Sequence, residues 1–429
     1  MKLRVIEAFS GIGAQAKALE RIKINNPEFN YEIVATVEWE IGAMYAYDII
    51  HNGKQDLNQY DKIPKTELIM KLEKFNLSSD GKTPLKKGTL SRMTSNHLKA
   101  ICHSIEKNKN LVDISTVHAQ DLPEADLLTY SFPCQDLSIS SYWHKNFSGI
   151  DKGTNNRSSL LWQIERILKE YQEIGKKKPR FLLMENVTAI KSPRHLDNFE
   201  LWKQELRKLG YESYSNLDLN AKNFGVPQNR VRTFMLSVLV EDNWFEIHNY
   251  LEKSKLHQVV EEPDLSPFLR LDYFKDRKYL DEAIESTPNF TESRKKIYKD
   301  STILATGLKT SGYIAKTITT KQDRNPNAGL IEHGLQLSTN KAPYRNLTPR
   351  ETFLLMGFDE FDFDLLISNN IAITKTEKLL SRTKLLKLTG NSIVVNVLEH
   401  IFMEVHEINK RFFTHDNVVP FKHRRNLVV

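Results

Sequence analysis

The sequence predicts an α/β protein with a largely parallel sheet and a second, smaller domain, on three observations. Residues 125–132 form an apolar run that stops at Pro133, the pattern of a strand buried in a parallel sheet. Residues 181–187 repeat that pattern and carry a polar pair, Glu185 and Asn186, at their end. Alternation of strand and helix patterns then fails near Glu241, where a polar stretch with short β-like pieces takes over.

Composition limits the function classes. A chain of 429 residues has room for two domains, and its 40% hydrophobic and 27% charged content is ordinary for a soluble globular protein. Cys102 and Cys134 are too few for a disulfide framework or a cysteine metal site, a usage that fits a reducing cytoplasm, and no metal is expected. The first residues lack the apolar core of a signal peptide, and no apolar run is long enough to span a bilayer. A cytoplasmic protein with no membrane partner is expected. The net charge of +7 favours a polyanionic partner without choosing among polyanions.

Taken in order, residues 3–9 read as a strand, followed by Ser10-Gly11-Ile12-Gly13 and by Ala16, Leu19 and Ile22 or Ile24 at helical spacing. Strand, glycine turn and helix open a nucleotide-binding α/β unit, in which glycine lets the backbone approach a ligand and the helix N-terminus favours an anion. One G-x-G is weak by itself. The next strand, residues 33–37, ends in Glu38 and Trp39. An acidic residue there commonly holds ribose hydroxyls, and a solvated loop glutamate is the alternative. Residues 52–110 are lysine-rich, with turn signals at Ser79-Asp80-Gly81 and Lys87-Gly88, and read as a helical insertion on the surface of the core domain. Cys102 falls within it as a structural thiol. The core resumes at residues 111–117, and Asp121 precedes the strand that ends at Pro133.

Open α/β sheets place their chemistry beyond the carboxyl ends of their strands, so Cys134 is delivered to the mouth of a crevice. Pro133 fixes how the chain leaves the strand. The alternative for a lone cysteine is a small buried hydrophobe. Polar residues 135–156, with Gly149 and Gly153 as hinges, read as a lid. Leu161, Ile164, Ile167 and Leu168 recur at helical spacing, and a helix over 196–209 and a strand over 211–217 follow. Gln228, Arg230 and Arg232 share one face at strand periodicity and lead into a strand over 233–238. Thr348 reads as a helix N-cap with Pro349 at the first helical position. Residues 389–395 run into a helix through Phe402, and Lys422-His423-Arg424-Arg425 makes a basic tail.

In this order the motifs resemble the C5-cytosine-specific DNA methyltransferase family of the bacterial and phage restriction-modification type. They are Phe9-Ser10-Gly11-Ile12-Gly13, Glu38-Trp39, Asp121, Pro133-Cys134-Gln135, Arg157-Ser158 ahead of a helix, Glu185-Asn186-Val187, the set Gln228, Arg230 and Arg232, residues 347–351, and Gly390-Asn391-Ser392. The resemblance implies a mixed sheet of the S-adenosylmethionine-dependent methyltransferase (Rossmann-like) kind with a smaller target-recognition domain. Residues 1–255 with 386–415 would form the catalytic cofactor-binding domain, 256–385 the recognition domain and hinge, and 416–429 the tail.

The resemblance also implies roles. Carbon 5 of cytosine is a poor nucleophile, so the family first adds a thiolate to carbon 6; Cys134 would supply it. Free cysteine titrates near about 8.5 and needs help, which neighbouring arginines offer, Arg232 ahead of the others. Glu185 would hydrogen-bond or protonate ring N3 from a partly desolvated pocket. Asn186 and Arg230 would support that pocket, and Arg232 would donate to the cytosine O2. Around S-adenosylmethionine, Phe9 would stack on adenine, Gly11 and Gly13 would shape the loop near the methionine part, Glu38 would hold the ribose and Asp121 the adenine amino group. Pro133, Asn391 and Ser392 would complete that site, as would Trp39, for which core packing is the alternative.

The implied partner is double-stranded DNA with one cytosine flipped out, at a cost on the order of a few kcal/mol. Gln135 and Ser138 of the lid, and Lys316, Lys321 and Arg324 of the small domain with Lys309 and Asn325, are candidates for phosphate and base-edge contacts. A monomer paired in function with a restriction endonuclease is the family's context. Three rivals stand. A tRNA cytosine-5 methyltransferase is disfavoured by the long basic segment 241–341, and a non-catalytic DNA-binding relative by the presence of Cys134, Glu185 and Arg232. A dinucleotide-dependent oxidoreductase leaves Pro133-Cys134-Gln135 unexplained.

Overall fold

Leu127–Tyr130 and Phe181–Asn186 are buried on both faces, as their unbroken apolar character requires. The computed structural model describes residues 2–133, 160–240, 243–258 and 263–413. Its first strands are β1 (Lys2–Ala8), β2 (Asn30–Val37), β3 (Leu127–Tyr130), β4 (Phe181–Asn186), β5 (Tyr211–Asn220), β6 (Gln228–Asn229) and β7 (Val231–Leu239). All but β6 join one six-stranded sheet in the order β2-β1-β3-β4-β7-β5. Pairing is parallel from β2 to β4 and antiparallel at β4–β7 and β7–β5, so the sheet is mixed.

Side chains alternate between two apolar layers, as a pleated strand dictates. Leu127, Phe181 and Leu183 meet the helices Ala14–Asn25, Ile41–Asn52 and Val395–Phe412 on one face. Leu128, Tyr130, Leu182 and Met184 meet Leu161–Glu173 and Leu196–Lys208 on the other. The late helix Val395–Phe412 lies against the early helix Ala14–Asn25, where Arg21 Nη1 donates to Glu399 Oε1 at 3.1 Å. From β1 the chain runs one way to β2 and later the other way to β3. That reversal opens a crevice at the carboxyl ends of these strands.

Residues 111–117 form no strand. Asn110 makes one parallel bridge to Thr36, and its side chain then holds the chain in a turn, accepting from the N–H of Glu38 (3.0 Å) and of Val112 (3.0 Å) and donating to Glu38 O (2.9 Å). The insertion is helical as expected, with Lys65–Leu72 and Ser95–Lys107 closing an apolar cluster over Ile41 and Met44. Cys102 is buried in that cluster, its thiol pushed up to about 11 by burial.

Beyond residue 243 the chain forms helices Trp244–Glu252, Arg277–Glu285 and Glu292–Asp300, and then strands β8 (Ile303–Thr306), β9 (Lys309–Thr310), β10 (Ala315–Lys316), β11 (Leu330–Glu332) and β12 (Tyr344–Asn346). Four of these make a small sheet in the order β12-β11-β8-β9. Strand β10 stands outside it and pairs in parallel with β6, the short strand just ahead of β7. Leu304, Ala305 and Ile331 join the main apolar cluster, so the two sheets share a core.

Thr348 caps the helix Pro349–Leu354 with a full capping box to Glu351. The Glu351 carboxylate also receives both Nη atoms of Arg345 at 2.7 Å, and both side chains are fully buried. Glu351→Ala leaves a buried guanidinium unpaired and is expected to cost about 3–5 kcal/mol. The urea midpoint of the variant should fall accordingly at unchanged slope. Among the described residues no helix is long and apolar enough to cross a membrane.

Candidate active site

The carboxyl ends of β1, β2, β3 and β4 border a single cavity of about 390 Å³. Phe9 leaves β1 with φ at 59°, and Val112 faces the cavity from another loop with φ at 67°. Left-handed backbone is uncommon for any residue with a side chain and a marked outlier for a β-branched one; such strain gathers at functional sites. Glu38 is half-buried in the wall, its two oxygens accepting from the N–H of Gly11 (3.0 Å) and of Glu40 (2.8 Å). Desolvation pushes its carboxyl up to about 7. Trp39 lines the cavity and also packs on the insertion's apolar cluster.

Two expected cofactor residues fall elsewhere. Gly13 does not line the cavity; at φ 81°, a Cβ there would sit 2.1 Å from His51 Nε2, so its glycine lets the helix start pass His51. Asp121 is exposed and outside the cavity, its side chain accepting from His118 N at 2.9 Å. Asp126 is bound to Arg4, whose N–H and guanidinium both reach it. The carboxylate that does line this wall is Asp113, buried and accepting from Ser115 N (2.9 Å) and Asn76 Nδ2 (2.8 Å). The turn at Asn110 delivers it there.

The insertion is more than a surface addition to the core domain, because Asn76, Asp80 and Gly81 form part of the wall. Glu40 knots this side together. It accepts from Lys384 Nζ at 2.6 Å and Lys387 Nζ at 3.3 Å, and the same two lysines donate to the carbonyls of Ser79 and Asp80. The turn Ser79-Asp80-Gly81 is visible in the sequence; its partners on the helix Arg382–Asn391 are not.

At the other end of the cavity stand Ser131, Phe132 and Pro133. Ser131 Oγ donates to Glu185 Oε2, and Arg232 Nε lies 3.4 Å from Glu185 Oε1. Strand register explains the encounter: Asn186 pairs with Thr233, which sets Arg232 beside the end of β4. Asn186 Nδ2 donates to Phe132 O at 3.1 Å and so fixes the end of β3 to the end of β4. Cys134, Gln135, Ser138, Arg157, Ser158, the lid and the basic tail lie outside the described residues.

Gln228, Arg230 and Arg232 do not act on one face. The chain changes partner between β6 and β7, so Arg232 turns to Glu185 while Gln228 and Arg230 turn to other segments. Gln228 Nε2 donates to Leu355 O at 2.7 Å, and Arg230 donates to the carbonyls of Ile318, Gly390 and Ser392. Asn391 and Ser392 line the cavity from the chain's late segment, as expected. Lys309, Lys316, Lys321, Arg324 and Asn325 are exposed on the small-sheet unit and do not line the cavity.

A mixed sheet with an antiparallel pair at one edge and one cavity over its carboxyl ends is the fold of the S-adenosylmethionine-dependent methyltransferases. The fission yeast S. pombe Dnmt2 methyltransferase matches it with a TM-score of 0.55 at 18% identity, over 95% of this chain and 99% of that one. The family model for C-5 cytosine-specific DNA methylase matches residues 87–407. The orphan methyltransferase M.SssI of Spiroplasma monobiae is 34% identical over 412 residues, 94% of this chain and 97% of its own. The type II methyltransferase M2.ScrFI of Lactococcus lactis subsp. cremoris is 35% identical over 406 residues, 94% of this chain and 99% of its own. The chain belongs to the C-5 cytosine-specific DNA methylase family and is a DNA (cytosine-5-)-methyltransferase.

Proposed function

We propose that the protein transfers a methyl group from S-adenosylmethionine to carbon 5 of a cytosine flipped out of a short duplex sequence, through a covalent adduct on Cys134. Both relatives are named as methyltransferases, which supports a place in DNA modification, and the type II name of one of them supports a restriction endonuclease as the functional partner. The observation that carries the reading is the meeting of two strand ends. Ser131, Glu185 and Arg232 close one end of the cavity whose other walls hold Phe9, Glu38 and Asp113.

The residues present fit the cofactor. Phe9 offers an aromatic face for adenine, Glu38 a carboxylate for the ribose hydroxyls, and Asp113 the acceptor for the adenine amino group first expected of Asp121. When bound, S-adenosylmethionine supplies an electrophilic sulfonium methyl. Cys134 adds to carbon 6 as a thiolate while Glu185 holds or protonates N3, so the charge displaced by addition rests on a stabilised atom. Arg232 orients Glu185 and donates to O2. Carbon 5, now enamine-like, takes the methyl with its own electron pair, and the pair of the broken carbon–sulfur bond stays on sulfur in S-adenosylhomocysteine. The C5 proton then passes to water, the electron pair it leaves re-forms the C5–C6 double bond and expels the Cys134 thiolate, and N3 returns its proton to Glu185. Lys316, Lys321 and Arg324 would meet the duplex from the small-sheet unit, which acts as the target-recognition domain.

If the ionised Glu38 holds the ribose, cofactor affinity follows its ionisation. Ionisation falls as the pH drops through about 7, so S-adenosylhomocysteine should bind up to about tenfold more weakly at pH 6 than at pH 8. Glu38→Gln should flatten that profile in calorimetry. An identical slope in the variant would remove Glu38 from the ribose.

The test of the function is bisulfite sequencing of plasmid DNA incubated with the protein and S-adenosylmethionine. Protected cytosines in one short context would establish reaction, substrate and recognition sequence together. No protection, with cofactor binding confirmed, would overturn the duplex-DNA assignment and point to an RNA substrate.

A further inference from the structure

We propose that Arg230 is a positioning residue that couples occupancy of the cofactor cavity to the placement of the DNA-reading segment, an inference that rests on the function proposed above. Its buried guanidinium joins two parts of the molecule that otherwise serve different ligands. Nη1 donates to Ile318 O at 2.8 Å, and Nη2 donates to Gly390 O at 3.1 Å and to Ser392 O at 2.7 Å. Residues 390–392 are cavity wall. Ile318 follows β10 and stands between the exposed Lys316 and Lys321.

The link has little slack on either side. A Cβ on Gly390 would lie 2.4 Å from Thr320 N and 2.5 Å from the carbonyl carbon of Thr319, so the wall and the segment touch backbone to backbone. Ile318 N donates to Gln228 Oε1 at 3.0 Å, and Thr317 Oγ1 donates to Asn229 O at 2.8 Å, which pins the segment to β6 just ahead of Arg230. A planar guanidinium presents its donors in a fixed fork, so a shift of residues 390–392 on filling the cavity is passed to residues 316–321. Lysine, a point charge on a flexible stem, cannot span both sides in one geometry. By linkage the effect is reciprocal: cofactor favours DNA as much as DNA favours cofactor.

The test measures the affinity of a duplex fragment that the wild-type protein methylates, with and without S-adenosylhomocysteine. In the wild type the added ligand should tighten DNA binding by about 5–150-fold. In Arg230→Lys that factor, measured at saturating S-adenosylhomocysteine so that any change in ligand affinity drops out, should fall to about twofold or less. A merely structural role would lower the melting temperature and leave the factor intact. An unchanged factor in the folded variant, or no factor in the wild type, overturns the coupling; a wild type that does not bind S-adenosylhomocysteine overturns the proposed function instead. Should Arg230→Lys fail to fold, Thr317→Val leaves the Arg230 fork in place and frees the segment from β6, so that a shift at residues 390–392 is no longer passed on against a fixed point. Its factor should drop by at least about twofold, and an unchanged one overturns the coupling.

Discussion

A Cys134→Ser variant is expected to bind duplex DNA about as well as the parent and to transfer methyl groups roughly 10⁴–10⁶-fold more slowly. A serine hydroxyl ionises far less readily than a thiol and is the poorer nucleophile toward carbon 6, whereas neither atom is asked to contact phosphate. The anchor for the thiol is rigid. Strand β3 is buried on both faces, and the carbonyl of Phe132 is held by Asn186 Nδ2 at 3.1 Å. Pro133, the residue before Cys134, already lies in the cavity wall. Labelled methyl transfer and gel shift on the same fragment separate chemistry from binding. Methylation at the parental rate would sink the covalent route, and parallel loss of duplex binding would move Cys134 to a DNA contact.

Glu185→Gln should lower kcat by about 10²–10⁴-fold with a small change in KM for DNA. Glutamine keeps the shape of the side chain and can still accept from Ser131, but it cannot pass a proton to ring N3. It also leaves Arg232 without the carboxylate that now sits 3.4 Å from its Nε. An unchanged melting temperature would exclude loss of folding as the cause. A kcat within a few-fold of the parent would reduce Glu185 to a structural tie for Arg232.

The places of Pro133 and Glu185 at the cavity were legible in the sequence because they are strand ends. The buried runs before Pro133 and at Glu185 announce themselves locally, and an open α/β sheet brings such ends together whatever connects them. Thr348 and Pro349 were legible for the same reason, since a helix cap is written within four residues. Asp113 was not. It reaches the wall because the Asn110 side chain stops β-pairing after one bridge, an event with no periodic signature, and Asp121 offered a more familiar spacing. The insertion's share of the wall was hidden because Glu40 meets Lys384 and Lys387 from the far end of the chain. Arg230 read as pocket support, and its bonds to carbonyls 88, 160 and 162 positions away had no local sign. Gly13 read as a ligand-loop glycine, but the close approach that demands glycine is to His51.

The pairing of helix Val395–Phe412 with helix Ala14–Asn25 has a consequence for how the molecule is made. Arg21 is synthesised 378 positions before its partner Glu399, an interval of roughly 20–75 s at 5–20 residues per second. Through that interval Leu19 and Ile22 lack part of the apolar cover that the late helix provides, a stretch of nascent chain that invites chaperone shielding. The small sheet leaves the ribosome before the last wall of the cofactor cavity, residues 390–392, exists. A cell making this protein anew would therefore hold nascent chains able to form the small sheet before any of them can methylate. The order of these segments along the chain thus puts a delay between the start of translation and the first methylation.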